Sequence, residues 1–307
     1  MAADTRLELE IGDERYPASV RELPEAPERL YVRGDPEALL GPAISIIGAR
    51  MATPYGIAVA EMTARVAAES GLTVVSGGAR GCDQAAGRAA IDAGGRHVAV
   101  LGCGADVVYP RSSRRLLDRA LETGGAIVSL SPWGAEPRKW AFPKRNRVIA
   151  ALSQALVVTE AGLPSGTFST AETAMGLGRE LLAVPGSILS PESRGANHLI
   201  TCGAVCIVDE EELEMSISRI YGVLRFERPD APGVRTADDR EARVVRALTA
   251  SPLRADEVAA MLGAPVPTAL KLLSAMSLAG TVERMLDGRY APSAAALHAQ
   301  SRLGHNR

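Results

Sequence analysis

Basic and aromatic residues are concentrated in one short stretch of this sequence. The segment 138–147, RKWAFPKRNR, contains five basic residues, no acid and two aromatic rings, although aromatics make up only 4% of the 307 residues. Cationic groups bind phosphates, and aromatic rings stack on unpaired bases for roughly 1–3 kcal/mol per base. The segment therefore predicts contact with single-stranded nucleic acid. The candidates are Lys144, Asn146 and Arg147 for the backbone, and Trp140 and Phe142 for base stacking.

Four glycine-containing loops, GAR, SGGARG, GCG and PSGT, each follow an apolar run. Glycine lets the backbone approach an anion closely, and the helix that follows adds unpaired N–H donors and a partial positive charge. Because the carboxyl ends of parallel strands meet at one edge of a sheet, the loops predict a shared phosphate site there. The candidates for this site are Gly48, Arg50, Gly77, Gly78, Arg80, Gly81, Ser165, Gly166 and Thr167.

Several other chemistries are disfavoured by spacing. The first loop is not G-x-G-x-x-G, the sequence has no G-x-x-x-x-G-K-[ST], and Ser165 does not lie in a G-x-S-x-G setting. None of the four cysteines forms a C-x-x-C pair, and the histidines are scattered, so we expect no metal site and no disulfide framework. These patterns disfavour dinucleotide binding, P-loop nucleotide binding and serine hydrolase chemistry.

Bulk composition is that of a globular protein, with 47% hydrophobic and 23% charged residues. The formal net charge of −2 means that any polyanion must be bound by a local patch. The start, MAADTRLELE, lacks the basic and apolar regions of a signal peptide, and no apolar run approaches the ~18 residues of a membrane span. We expect a cytoplasmic protein that does not contact membranes.

Apolar runs alternate with amphipathic stretches between residues 43 and 209. The runs are continuous, as in strands buried on both faces, and segments such as 56–69 and 84–93 predict helices between them. This rhythm predicts an α/β fold with an extended Rossmann-like, doubly wound parallel sheet. The predicted strands are 44–47, 73–75, 97–101, 126–128, 155–159, 181–184 and 205–208.

A second, smaller module follows the sheet. Three short helical segments precede two apolar runs that flank Asp287-Gly288, a strong hairpin signal, and this order predicts a winged helix. Its third helix, 268–278, has only Lys271 as a basic residue, which favours a protein contact over groove binding. The predicted domains are an N-terminal extension 1–35, a Rossmann-like domain 36–222, a linker 223–240, the winged helix 241–292 and a flexible tail 293–307.

The order of the motifs resembles the DNA-processing protein A (DprA/Smf) family. The matching stretches are Tyr16-Pro17, LYVRGD, IIGAR with TPYG, SGGARGCD, LGCGADVVYP, FPKRNRVIAALS, SGTFSTAETA, GRELLAVPG and SRGANHLITCGA, within about residues 16–210.

The resemblance implies a homodimer that binds single-stranded DNA and loads the RecA recombinase, notably in natural transformation, with no catalytic residues and no cofactor. By matching motif it implies DNA contacts from Arg50, Gly77, Arg80, Lys144, Asn146 and Arg147, with Ser165–Thr167 as an amide cradle. The family usually begins with a helical domain. Only about fifteen residues precede Tyr16 here, so we expect a short form that lacks it.

Two alternatives stay open. A distant similarity to LOG-type nucleotide phosphoribohydrolases implies a nucleotide-cleaving or nucleotide-sensing site, in which Arg145 and Glu172 would act; a carboxylate there could stabilise an oxocarbenium-like transition state. The turn before Glu172 lacks the double glycine of those enzymes. The other alternative is an interaction scaffold whose working part is the winged helix.

Overall fold

The structure, a computed structural model, describes residues 5–223 and 239–303. Its centre is a nine-stranded sheet in the order β1-β2-β6-β5-β4-β3-β7-β8-β9, in which β3 to β9 are parallel. All seven predicted strands form, which confirms the Rossmann-like parallel sheet. The strands are β1 (Arg6–Glu10), β2 (Arg29–Gly34), β3 (Ala43–Ile47), β4 (Thr73–Ser76), β5 (His97–Leu101), β6 (Ala126–Ser129), β7 (Ala155–Val158), β8 (Glu180–Ala183) and β9 (Val205–Cys206).

Helices cover both faces of this sheet. They are α1 (Ala18–Arg21), α2 (Pro54–Glu69), α3 (Cys82–Asp92), α4 (Arg114–Glu122), α5 (Ala141–Ala151), α6 (Thr167–Gly176), α7 (Arg194–Thr201) and α8 (Glu210–Tyr221). One apolar core contains residues of α5, α6 and α7, and another contains residues of α2, α3 and α8. Because every residue of β3 to β7 is buried, these strands need the continuous apolar runs that the sequence shows.

Residues 5–35 add two strands that the apolar runs did not predict. β1 pairs antiparallel with β2, and β2 pairs antiparallel with β6, so this segment extends the sheet at one edge. In β2, buried positions alternate with partly or fully exposed ones. Such alternation is typical of an antiparallel edge with one face on the core.

The C-terminal module is a winged helix, as predicted. Its elements are α9 (Asp239–Ala250), α10 (Ala255–Leu262), α11 (Val266–Leu278), β10 (Val282–Arg284), β11 (Tyr290–Pro292) and α12 (Ala294–Leu303). Val244, Val258, Leu273 and Tyr290 belong to its own core, and the strands pair antiparallel around Asp287-Gly288. Most of the predicted linker lies outside the described residues.

Helix α12 occupies much of the segment that was expected to be a flexible tail. Ser293 begins it by accepting a hydrogen bond from the Ala296 amide at 3.1 Å, and α12 then packs on α2. In the described part of the chain, no single helix is long and apolar enough to cross a bilayer; only α10 and α11 together, bent by 108°, meet those criteria.

Two polar contacts dock the winged helix on the Rossmann-like domain. Arg289, before β11, pairs with Glu192 at 2.5 Å, and both side chains are about one-fifth exposed. On the outer side of α2, His298 lies 3.2 Å from Glu61. A cavity of about 450 Å³ between the two modules is lined on one side by Thr53 and Glu160 and on the other by winged-helix residues.

The carboxyl edge between β3 and β7 is where the strand order reverses. The crevice at this point is filled by side chains of the protein itself. Glu160 is only 2% exposed, and its carboxyl accepts hydrogen bonds from the Thr53 amide at 2.8 Å and from the Thr53 hydroxyl. Thr53 begins α2, and a side chain at Gly56 would collide with Glu160. Burial raises the pKa of Glu160 from 4.5 to about 7, against the opposing effect of the Thr53 hydrogen bonds. The helix N-terminus that holds phosphate in many Rossmann folds is therefore occupied by this chain's own carboxyl.

Reversing one charge of the Arg289–Glu192 pair should undock the winged helix. Arg289→Glu or Glu192→Arg alone places two like charges in a partly buried contact, whereas the double variant restores opposite charges. Small-angle scattering should show an expanded particle for each single variant and a compact one for the double variant. Equal compactness in all three would refute the docking role.

Glu160→Gln should stabilise the protein increasingly as the pH rises from 5 to 8. The native carboxyl binds a proton up to about pH 7, whereas the unfolded one releases it near 4.5, so its contribution to stability is lost as pH rises through 7. Glutamine does not ionise: its oxygen can accept the Thr53 amide, and its NH2 group can donate to the Thr53 hydroxyl, which reverses that hydrogen bond. We expect the difference in unfolding free energy between the variant and the wild type to grow by roughly 2–3 kcal/mol, measured by urea titration at each pH. Groups that titrate alike in the variant and the wild type cancel in this comparison. If the free-energy difference did not change with pH, the raised pKa of Glu160 would be contradicted.

Candidate nucleic-acid interface

The loops after β3 and β4 touch at the carboxyl edge of the sheet. The Cys82 amide donates to the Ala49 carbonyl at 3.2 Å, and a side chain at Gly81 would lie 2.8 Å from the Arg50 carbonyl oxygen. Gly81 has a φ of +80°, which glycine adopts without strain. Arg50 and Arg80 are both exposed on these touching loops. The structure thus brings two predicted phosphate contacts to one place.

Arg145 links helix α5 to the same edge of the sheet, but its side chain is buried in the protein interior. It is only 4% exposed, and its Nη1 donates to the Val100 carbonyl at 2.8 Å. A side chain at Gly77 would overlap its guanidinium. Burial lowers the pKa of Arg145 to about 10, while the Asp83 carboxylate opposes that shift. Arg145 remains charged at neutral pH and anchors α5 to β4 and β5.

The loop after β4 is held by Asp83, which the sequence analysis did not single out. The buried Asp83 carboxylate accepts the Gly77 amide at 3.1 Å and the Ala79 amide at 3.3 Å. Burial raises the pKa of Asp83, and Arg145 and the two amides oppose that rise. The Gly77 amide is therefore engaged within its own loop. The acid in the motif SGGARGCD was the available signal, since an unpaired buried carboxylate needs donors nearby.

Phe142 is the centre of a cation–aromatic cluster at the start of α5. The guanidinium carbons of Arg50 and Arg145 lie 5.6 Å and 5.7 Å from its ring centroid. The Tyr109 ring lies 5.9 Å away, and a side chain at Gly102 would meet the Phe142 ring at 2.7 Å. Phe142 is therefore half-buried among these groups and holds Arg50 in place.

Trp140 and Lys144 form the exposed part of the predicted basic segment. Trp140 is 63% exposed, and the Lys144 ammonium lies 5.5 Å from its ring centroid. Asn146 is half-buried in the same helix, while Arg147 is exposed and pairs with Glu25 at 2.7 Å. Arg147 is thus paired with a carboxylate of the segment before β2, whereas Lys144 lies next to the aromatic rings.

The predicted amide cradle at Ser165–Thr167 lies at the junction of β7 and α6. The Thr167 amide donates to the Ser165 hydroxyl at 3.2 Å, and the two hydroxyls are 2.8 Å apart. The loop before it is fixed to α7, because the Gly195 amide donates to the Ala161 carbonyl at 2.7 Å. The cradle therefore uses one of its own amides internally. Gly48, at the end of β3, has no room for a side chain, since one would meet Cys82 and Thr159.

The residues of the nucleotide-cleaving alternative do not form a reactive pair. Arg145 is buried beneath the Gly77 loop, whereas Glu172 is exposed on α6. Glu160 and Thr53 fill the crevice in which a nucleotide would be expected. This alternative is not supported.

Two family models match this chain. The family model for DNA recombination-mediator protein A matches residues 8–218, and that for the DprA winged helix domain matches residues 228–288. Protein Smf of Escherichia coli is 33% identical over 287 residues, covering 91% of this chain and 76% of its own length.

Two solved structures share the fold. DNA processing protein A from Streptococcus pneumoniae aligns with a TM-score of 0.64 and 36% identity, over 69% of this chain and 74% of that one. The protein of the same name from Helicobacter pylori, studied for its single-stranded DNA binding mode, aligns with a TM-score of 0.64 and 29% identity, over 72% of this chain and 99% of that one. The chain belongs to the family of DNA recombination-mediator protein A, also called DprA/Smf.

Proposed function

We propose that this chain binds single-stranded DNA along the carboxyl edge of its sheet and, as a homodimer, loads a RecA recombinase onto the bound strand. The observation that carries the proposal is the cation–aromatic arrangement: Arg50 over Phe142, and Lys144 over the exposed Trp140. We call the surface formed by Arg50, Arg80, Trp140, Phe142 and Lys144 the basic rim.

The basic rim suits an unpaired strand better than a duplex. A duplex hides the faces of its bases in the stack, whereas an unpaired strand exposes them to rings such as Trp140. The cations at Arg50, Arg80 and Lys144 supply the salt-dependent attraction to phosphates. Because the net charge of the whole chain is −2, the attraction to DNA must come from a local patch such as the rim.

The relatives support the same ligand. The Helicobacter pylori protein, aligned over 72% of this chain, is described as binding single-stranded DNA. The two family models match the sheet domain and the winged helix in the order found here. In our proposal the sheet domain holds the strand, and the winged helix, with only Lys271 as a basic residue on α11, contacts protein.

Removing one cation from the basic rim should weaken binding in a salt-dependent way. We expect Arg50→Ala, Arg80→Ala and Lys144→Ala each to weaken oligo-dT binding by about tenfold, because each loses a charged hydrogen bond to phosphate. The slope of log affinity against log salt should become shallower by about 0.7 per variant. Fluorescence anisotropy titrations over a range of salt concentrations measure both quantities.

The matched control is Arg219→Ala. Arg219 is exposed on α8 and lies 3.9 Å from Glu180, which is at the amino end of β8. The substitution therefore removes one arginine charge, as in the rim variants, but from the opposite edge of the sheet. Its affinity and salt slope should equal those of the wild type. Equal losses in the control and the three rim variants would show that binding depends on bulk charge and not on the rim.

A comparison of ligands tests the proposed function itself. The wild type should bind oligo-dT more tightly than duplex DNA of the same length, and should neither bind nor cleave nucleoside monophosphates. It should also shorten the lag of RecA filament formation on oligo-dT coated with single-strand binding protein, and Arg50→Ala should lose this effect. Preference for duplex or monophosphate would refute strand binding. An unchanged lag with tight oligo-dT binding would refute the recombinase step alone.

A further inference from the structure

The aromatic surface extends past Phe142 to Tyr109. Tyr109 ends the loop that follows β5, and 46% of it is exposed. Its ring centroid lies 5.9 Å from that of Phe142, with the ring planes inclined by 45°. Phe142 itself is enclosed by Arg50, Arg145 and Gly102. A base therefore finds more free ring surface on Tyr109 than on Phe142.

Cations follow directly after Tyr109. Arg111, Arg114 and Arg115 are exposed, and the stretch 109–115 contains no acid. Among the residues that the structure describes, no carboxylate forms an ion pair with Arg111 or Arg114, whereas Arg119, further along α4, pairs with Asp92 at 2.7 Å. Arg111 thus offers a guanidinium that has no carboxylate to give up before it binds a phosphate.

A buried side chain fixes this turn to the basic rim. Gln84, on α3, is 6% exposed, and its Nε2 donates to the Gly78 carbonyl at 3.2 Å and to the Ser112 hydroxyl at 3.1 Å. Gly78 belongs to the loop that carries Arg80, so the turn 111–113 is tied to that loop. The Ser113 hydroxyl, which donates to the Pro110 carbonyl at 2.7 Å, closes the turn on itself. Such pre-organisation reduces the entropy lost when a strand binds.

We propose that Tyr109 and Arg111 form a second nucleotide subsite, in which the Tyr109 ring stacks on a base and the Arg111 guanidinium binds the adjacent phosphate of the same single strand. This inference rests on the proposed strand binding and deepens it. It also divides the roles of the aromatics: Tyr109 and Trp140 stack on bases, and Phe142 positions Arg50.

Oligo-dT of increasing length separates this subsite from the rest of the rim. Tyr109→Leu keeps a large apolar side chain but removes the aromatic ring. It should weaken the binding of long oligomers about tenfold, and the affinity for the shortest oligomers that bind should not change. Tyr109→Phe keeps the ring and should bind like the wild type. Arg111→Ala should make the salt slope shallower by about 0.7 on long oligomers. Arg119→Ala, which removes a paired cation from α4, the helix that follows this turn, is the matched control.

Photo-crosslinking locates the contact directly. Oligomers carrying 5-iodouracil should crosslink to the peptide that contains Tyr109 in the wild type and in Arg119→Ala, and this product should be lost in Tyr109→Leu. Thermal melting confirms that the variants fold. If Arg50→Ala weakens binding while Tyr109→Leu and Arg111→Ala bind every length like the wild type, the subsite is refuted and strand binding stands. If the wild type binds no oligomer, both proposals fall.

Discussion

The buried guanidinium of Arg145 is the contact on which the basic rim depends. Placing a charge inside a protein costs several kcal/mol unless it is paired and hydrogen-bonded. Here the Val100 carbonyl and the charge of Asp83 offset part of that cost, although the buried Nε has no hydrogen-bond partner among the described residues, and the missing side chain at Gly77 provides the space. The result is a fixed start of α5 against β4 and β5, from which Phe142 reaches Arg50.

The same contact decides which groups are left to bind a ligand. Asp83 uses the amides of Gly77 and Ala79 to hold its loop, so these donors are engaged before any anion arrives. In the proposed interface, phosphates are therefore bound mainly by side chains, namely those of Arg50, Arg80 and Lys144. Side-chain cations tolerate a strand of varied conformation better than a rigid ring of amides does, which suits a partner that must accept any sequence.

Much of the fold follows from local patterns in the sequence. Continuous apolar runs predicted the seven parallel strands, and the Asp287-Gly288 turn predicted the wing, because both signals reflect burial and turn geometry within a few residues. The antiparallel β1 and β2 were missed because neither contains a long continuous apolar run, and the alternation of apolar with charged residues in β1 was the available signal. The burial of Arg145 was missed because a basic run suggests a solvated surface. Its spacing of four from Ala141 and Ile149, both buried, was the available signal. The partnership of Arg145 with Asp83 joins residues 62 positions apart, and no local pattern contains it.

The position of the site also follows from what fills the centre of the sheet edge. In many Rossmann folds the crevice between the two halves holds a nucleotide, with its phosphate at a helix N-terminus. Here Glu160 takes that place against Thr53, and winged-helix residues line the other side of the cavity above it, near the Arg289–Glu192 pair. A carboxyl at the crevice repels phosphate whenever it ionises, and the docked module restricts access to it. The exposed cations Arg50, Arg80 and Lys144 lie on the other margin of this edge, where Arg145 holds α5 against β5. An extended polymer needs such an open margin, whereas a small nucleotide needs an enclosed crevice, so the arrangement of Glu160 and Arg145 favours the polymer.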